Sequence, residues 1–342
     1  EGQELIHHLV ESTDVFLTNL RPYELKRYNL EYATLSRRNP RLIFGALTGF
    51  GKKGPERDHP AYDATAYWTR SGIAYMLSVP GFPQTGFRPG FGDNVTGLAM
   101  AYGVMLALYE REHTGLGQEV DISLFHTGMY QLSFDIAGAL ATGLDAADWR
   151  EVPPPEMVAA VEAAVAPVHD FYRRRARNPL AGRYTTRDGR TIVMVALQPD
   201  RYWARLCRAL ELEHLIDDPR FNSYEARAEN NAILYPILDR AFAARTLDEW
   251  RSRLKGIPYA VHQTLKEAVN DPQARLNGCF VAYEHPTHGR IEGLANPVQL
   301  SRTPATVRLP APEVGQHTEE VLLEFGYDWE QIARLKECGA IG

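Results

Sequence analysis

The spacing of apolar and polar positions changes period several times along the chain, and each change predicts an element. Residues 2–11 carry Leu5, Ile6, Leu9 and Val10 at helical spacing. They lead into a strand-like run at 14–18 and the turn Asn19-Leu20-Arg21-Pro22. Short helical patterns at 23–28 and 32–38 separate that run from a second one at 42–47. Strand, helix and strand at this spacing predict a parallel sheet in an α/β domain. A helical pattern covers 61–76, and a loop rich in glycine and proline covers 79–89. The stretch from Val95 to Glu112 is then apolar or small on almost every side up to Tyr109, which predicts a helix buried in the middle of the domain. Thr114-Gly115-Leu116-Gly117 ends it, and residues 118–124 alternate as a third strand before a helix from about 126 to 140.

Beyond residue 141 the pattern shifts. Residues 149–177 combine Pro153-Pro154-Pro155, an alanine-rich helix and the cluster Arg173-Arg174-Arg175-Ala176-Arg177, read as a solvated connection between domains. Strand-like runs at 182–186 and 191–197 flank a turn at Asp188-Gly189, and helical patterns follow at 199–210, 223–243 and 247–255. Strand patterns return at 280–284 and 291–296, a proline-rich loop covers 303–312, and helices are predicted at 318–325 and 329–336. The expected organisation is a large, Rossmann-like α/β domain over 1–150, a linker over 151–182, a small α+β domain over 183–285, and a return segment, 286–342, whose helices pack on the large domain. Because Glu1 opens inside a helical pattern, the chain reads as the continuation of something, and a leader sequence cannot be judged.

Composition narrows the functional classes. With 342 residues, 44% hydrophobic and 23% charged, the chain has the make-up of a folded globular protein. A net charge of −6 with dispersed basic residues argues against a nucleic-acid surface. The longest apolar run, Gly97 to Tyr109, falls short of the about 20 residues a spanning helix needs, so no membrane role is expected. Three cysteines, Cys207, Cys279 and Cys338, form no Cys-x-x-Cys pair. They suit a reducing, cytoplasmic compartment and offer no structural metal site.

Three motifs invite chemistry. Gly49-Phe50-Gly51-Lys52-Lys53-Gly54 matches the Gly-x-Gly-x-x-Gly dinucleotide fingerprint, but Pro55 and Pro60 bracket a charged loop where that fingerprint needs a helix. His285 and His288 lie close together in a turn without further ligands at metal spacing beyond Glu284. Gly90-Phe91-Gly92-Asp93-Asn94-Val95-Thr96-Gly97 runs straight into the long apolar helix, and a short acidic side chain there reads as a helix cap. The positive end of the helix dipole favours an ionised carboxylate and brings N–H groups near it, which would also suit a nucleophile and its oxyanion. Spacing alone does not separate a nucleophile from a plain cap. There is no Gly-x-Ser-x-Gly elbow, and Asp93 has no strong rival as nucleophile.

Asn19-Leu20-Arg21-Pro22, Asn39-Pro40-Arg41-Leu42-Ile43-Phe44, Ala61-Tyr62-Asp63, Gly92-Asp93 with Thr96-Gly97, Thr114-Gly115-Leu116-Gly117-Gln118, Asp271-Pro272-Gln273 and Ala311 to Thr318 occur in one order over nearly the whole chain. In that order the chain resembles the class III CoA-transferases, typified by formyl-CoA and crotonobetainyl-CoA:carnitine CoA-transferases. The resemblance implies the interlocked-dimer CoA-transferase fold, with acyl-CoA and a small carboxylic acid as substrates and no metal. It also implies that Asp93 attacks the thioester to form a mixed anhydride, followed by an aspartyl-CoA thioester. By the same resemblance Asn19, Arg21 and Tyr62 contact CoA or line the acyl pocket. Gly92 and the amides of Asn94 and Val95 position the carboxylate and hold the oxyanion, and Asp63 fixes local geometry.

The chain departs from the family at several points. The family's opening strand and first CoA-binding loop would precede Glu1. The glycine run that covers the nucleophile in some transferases reads Arg177-Asn178-Pro179-Leu180-Ala181-Gly182-Arg183, and Tyr259 and His262 stand in the segment before Asp271. An α-methylacyl-CoA racemase of the same fold would need a histidine where Tyr62 stands, and a phenol is a poor base at neutral pH. A catalytically inactive CoA-binding scaffold is the remaining alternative.

Overall fold

In a computed structural model of the chain, residues 1–78, 87–144 and 178–342 are described. Most of the expected linker, its arginine cluster and most of the loop before Asp93 lie outside them. The chain divides into two compact units, Glu1–Val152 with Pro312–Gly342, and Pro153–Ala311. The predicted boundary between 285 and 286 falls inside a hairpin of the second unit, where His285 pairs with Gly289.

The first unit is built on three parallel strands in the order β1 (Val15–Thr18), β2 (Ile43–Thr48) and β3 (Glu119–Ser123). The central strand β2 is buried at Ile43, Phe44, Gly45, Ala46 and Thr48, as a parallel strand covered on both faces should be. Helices α1 (Gly2–Val10), α2 (Pro22–Arg27) and α3 (Tyr32–Arg38) enclose a core of Val10, Leu25, Leu35, Leu42 and Phe44. A π-helix, Ala64–Arg70, and α4 (Ile73–Leu77) replace the single helix predicted at 61–76, because Gly72 takes φ +94 and breaks the run. The long helix α5 (Phe91–Thr114) then leads to β3, followed by α6 (Leu124–Gln131) and α7 (Ser133–Thr142).

Helix α5 runs antiparallel to the strands. Arg111 donates to the Arg41 carbonyl at 3.2 Å, below the start of β2, and a Cβ on Gly103 or Gly45 would strike Val120 or Met100 respectively. The N-terminus of α5 therefore emerges at the carboxyl edge of the sheet, where open α/β sheets bind ligands. The helix is not buried all round as its composition predicts. Gly92, Thr96, Met100, Ala107 and Arg111 face the unit, while Leu98, Tyr102, Met105 and Tyr109 form an exposed stripe at heptad spacing. By length and composition α5 is also apolar enough to cross a membrane, contrary to the expectation from the shorter run 97–109.

In the second unit, β4 (Arg183–Thr185), β5 (Thr191–Met194) and β6 (Tyr259–Val261) form an antiparallel sheet. It packs with α8 (Pro199–Leu210), α9 (Tyr224–Glu229), α10 (Asn231–Ala243) and α11 (Leu247–Arg253) around Tyr184, Trp203, Phe242 and Trp250. Strand β6 and the short helices α12 (Leu265–Val269) and α13 (Pro272–Leu276) had no periodic signal, being too short to show one. The hairpin β7 (Phe280–His285) and β8 (Gly289–Leu294) follows. The chain then returns to the first unit, where α14 (Thr318–Glu324) and α15 (Trp329–Glu337) close a small core of Leu5, Leu322 and Ile332 against α1.

Candidate active site

Asp93 lies exposed in the first turn of α5, two residues inside the helix, and it is not the cap. The cap position belongs to Gly90, whose φ of +75 suits glycine. The side chain that serves the helix start comes from another segment. Asp63, buried at the head of the π-helix, accepts the Gly92 N–H on Oδ1 at 3.1 Å. Its Oδ2 is buried with no hydrogen-bond partner among the described residues. Burial, and secondly the charge of Asp93, raise the Asp63 pKa above the ordinary aspartate value, against the pull of the Gly92, Gly90 and Phe91 amides.

Packing locks this junction. The Phe91 ring lies 5.5 Å from that of Trp68, and a Cβ on Gly92 would come within 2.2 Å of Tyr67 Cγ and 2.3 Å of Asp63 Oδ1. Only glycine lets α5 approach the π-helix so closely. The same contact revises the oxyanion expectation. The Gly92 N–H is given to Asp63, and the Asn94 N–H is given to the Gly90 carbonyl at 2.9 Å. Neither amide is free in this structure, and Val95, the residue after Asn94, is the fifth residue of the helix. What the helix start offers Asp93 is the aligned dipole of a 24-residue helix.

Tyr62 is exposed beside Asp63, and the backbone thereby links it to the Asp93 turn. Asn19 and Arg21 follow β1 at the same carboxyl edge. Arg21 is engaged: its guanidinium forks onto Glu24 at 2.9 and 3.0 Å, lies against the Tyr23 ring and donates to the Tyr23 hydroxyl at 2.7 Å. Hydrogen bonds from Arg21 hold the Glu24 carboxyl down at about 2. Any anion reaching Arg21 has to compete with Glu24. Beside this turn, Leu25, Tyr32, Phe44, Ala46, Thr48 and Lys52 line a cavity of about 280 Å³, with Lys52 paired to Glu119 at 2.5 Å. The glycine loop 49–54 starts no helix, as its prolines predict, and Gly51 and Gly54 sit at φ +94 and +84. Among the described residues no group of three or more acidic, histidine or cysteine side chains could hold a metal ion.

The sequence profile of CoA-transferase family III matches residues 1–318. The chain belongs to CoA-transferase family III. Among its relatives in this family, it is 31% identical over its whole length to the (R)-2-hydroxy-4-methylpentanoate CoA-transferase of Clostridioides difficile, covering 80% of that protein. It is 30% identical over 98% of its length to the cinnamoyl-CoA:phenyllactate CoA-transferase of Clostridium sporogenes, covering 77% of it. A crystal structure of a CAIB/BAIF family protein from Brucella suis superposes with a TM-score of 0.74 at 24% identity, over 94% of this chain and 78% of that one, and shares its fold. As a family III CoA-transferase, the protein handles CoA thioesters as substrates.

The sequence reading missed the capping role of Asp63. Asp63 and Gly92 are 29 positions apart, and only the tertiary fold joins them.

Proposed function

We propose that the protein moves CoA from an acyl-CoA to a free carboxylic acid through Asp93. One Asp93 oxygen attacks the thioester carbonyl carbon. The C–O bond forms, the C–S bond breaks, and the electron pair leaves on the CoA sulfur. The thiolate then attacks the aspartyl carbonyl of the mixed anhydride, the donor acid departs as its carboxylate, and an aspartyl-CoA thioester remains. The incoming carboxylate attacks that thioester, and the resulting thiolate takes the new acyl group as Asp93 is released. The observation that carries the reading is a carboxylate exposed in the first turn of a long helix, at the carboxyl edge of a parallel sheet, in a chain of this family. Asn19, Arg21 and Tyr62 lie along that edge as candidate CoA contacts, Arg21 after exchanging Glu24 for a phosphate.

Relatives that act on (R)-2-hydroxy-4-methylpentanoate and phenyllactate support a 2-hydroxy acid as acceptor. Incubating the protein with acyl-CoA and then with hydroxylamine or borohydride is expected to leave a modified Asp93, detected by peptide mass spectrometry, that a 2-hydroxy acid protects by discharging the intermediate. An unmodified Asp93 with every donor that supports exchange would sink the reading. Deuterium exchange at the α-carbon without CoA transfer would support racemisation instead, a reaction for which Tyr62 supplies no imidazole.

The chain works as a cytoplasmic homodimer in this reading. The stripe Leu98, Tyr102, Met105 and Tyr109 repeats at coiled-coil spacing, and Phe134 and Leu140 on α7 are 90% and 83% exposed, so a second copy has apolar surface to cover. Light scattering is expected to give twice the chain mass, and Tyr102→Glu with Met105→Glu to shift it towards the monomer. A wild-type monomer that needs detergent to stay in solution would point to a membrane as the cover.

A further inference from the structure

The feature left unexplained by capping is the second oxygen of Asp63. A carboxylate that serves only as a helix cap gains by pointing both oxygens at donors, since a buried acceptor left without one loses its hydration and gains nothing in return. Here Oδ1 takes the Gly92 N–H, Oδ2 is buried and unpartnered among the described residues, and the next residue after that N–H is Asp93. Tyr67 and the rigid Gly92 contact prevent the turn from relaxing away. Two carboxylates are thus held at one helix start, one buried and one exposed.

We propose that Asp63 is a positioning residue that raises the reactivity of Asp93 by holding a second negative charge against it, a repulsion that is relieved when Asp93 is acylated. This rests on Asp93 being the nucleophile. In that step Asp93 gives its electron pair to the thioester carbon and becomes a neutral anhydride, while the negative charge departs on the CoA sulfur. Asp93 stays neutral in the aspartyl-CoA thioester that follows. Repulsion from Asp63 is present in the resting enzyme and absent from both covalent intermediates, so it acts on the step and not on uniform binding.

The titratable groups facing Asp63 among the described residues are Asp93 from α5 and Tyr67 from its own π-helix, and the Tyr67 phenol is itself pushed up by burial and by Asp63. The sign of the linked stability follows. Since the folded-state pKa of Asp63 lies above its unfolded value, the stability contributed by the protonated form is complete below the ordinary aspartate range and is lost as pH rises through the raised value. The ionised form of Asp63 is a load on the fold that function retains.

The test is Asp63→Asn in the full chain, with Asp63→Ala beside it. Asparagine keeps an acceptor for the Gly92 N–H and removes the charge. The expected result is a kcat lower by about tenfold or more, a KM for acyl-CoA within about twofold of wild type, and slower covalent labelling of Asp93. Its Tm should match or exceed that of wild type at neutral pH, with the difference shrinking as the pH falls. Asp63→Ala, which also strips the cap, should lose both kcat and Tm. A purely structural Asp63 would give the opposite pattern for asparagine, an unchanged kcat with an unchanged or lower Tm, and would overturn the proposal while Asp93 is still labelled in wild type. No label on Asp93 in wild type overturns the nucleophile reading and this proposal with it.

Discussion

Asp93→Asn is expected to lower CoA transfer by about a thousandfold or more while leaving the fold intact. The amide is nearly isosteric with the carboxylate, and Asp93 is exposed, so no packing is disturbed. The fold loses only the interaction of one exposed charge with the helix dipole, worth about 0.3–1 kcal/mol. The chemistry loses its nucleophile, because an amide oxygen has too little basicity to displace a thiolate. Steady-state transfer assays would be paired with a thermal melt and with labelling after acyl-CoA and hydroxylamine. The expected variant melts within a few degrees of wild type, binds acyl-CoA and carries no label at position 93. A variant that turns over at more than about a tenth of the wild-type rate would show that another group forms the covalent intermediate. Asp93→Ala serves as a second check, since it cannot revert by deamidation.

Much of this site was legible before the structure because its signals are local. Three strand-like runs with helices between them predict a parallel sheet, and the sheet observed is parallel in the order β1-β2-β3. Glycine, aspartate and a long apolar run predict a helix start, and α5 begins at Phe91. The loop 49–54 was distinguished from a nucleotide-binding turn by its prolines. What failed depended on contacts between distant positions or on what covers a surface. Asp93 reads as the cap because capping aspartates usually belong to the helix they cap, whereas Asp63 supplies this one across the fold. The amide of Asn94 looked available because a sequence cannot show that the Gly90 carbonyl already takes it. Helix α5 looked buried because composition counts apolar residues without saying what covers them, and its outer stripe is uncovered in the single chain. Likewise the resemblance that makes Arg21 a CoA contact does not show that Glu24, one turn on, closes over its guanidinium.

Gly92→Ala carries the largest expected effect on stability, and two opposing terms decide it. Gly92 has no positive φ and lies in the first turn of a helix, where alanine is intrinsically favoured over glycine by about 1 kcal/mol. Against this, the added methyl would sit 2.2 Å from Tyr67 Cγ, 2.5 Å from Tyr67 Cδ1 and 2.3 Å from Asp63 Oδ1. Tyr67 is 2% exposed in a core with Ala66, Trp68 and Leu124, and Asp63 is fixed by the Gly92 N–H, so neither can swing aside. Overpacking of this kind costs about 1–3 kcal/mol or more, and it exceeds the helical gain. The turn must lift away from the π-helix, carrying Asp93 with it, and a displacement of about 1 Å at a reacting group can cost on the order of a hundredfold in rate. The variant is therefore expected to melt several degrees lower and to transfer CoA about a hundredfold more slowly. Gly97→Ala is the matched control, because nothing lies within 4 Å of a Cβ there, and it should be neutral or slightly stabilising. Tyr67→Ala in the Gly92→Ala background should recover part of the lost rate, because it removes both the Cγ and the Cδ1 that the new methyl strikes, whereas Tyr67→Phe, which keeps them, should recover none. Equal behaviour of Gly92→Ala and Gly97→Ala would mean that the junction between α5 and the π-helix is loose, and the placement of Asp93 would then have to come from the substrate.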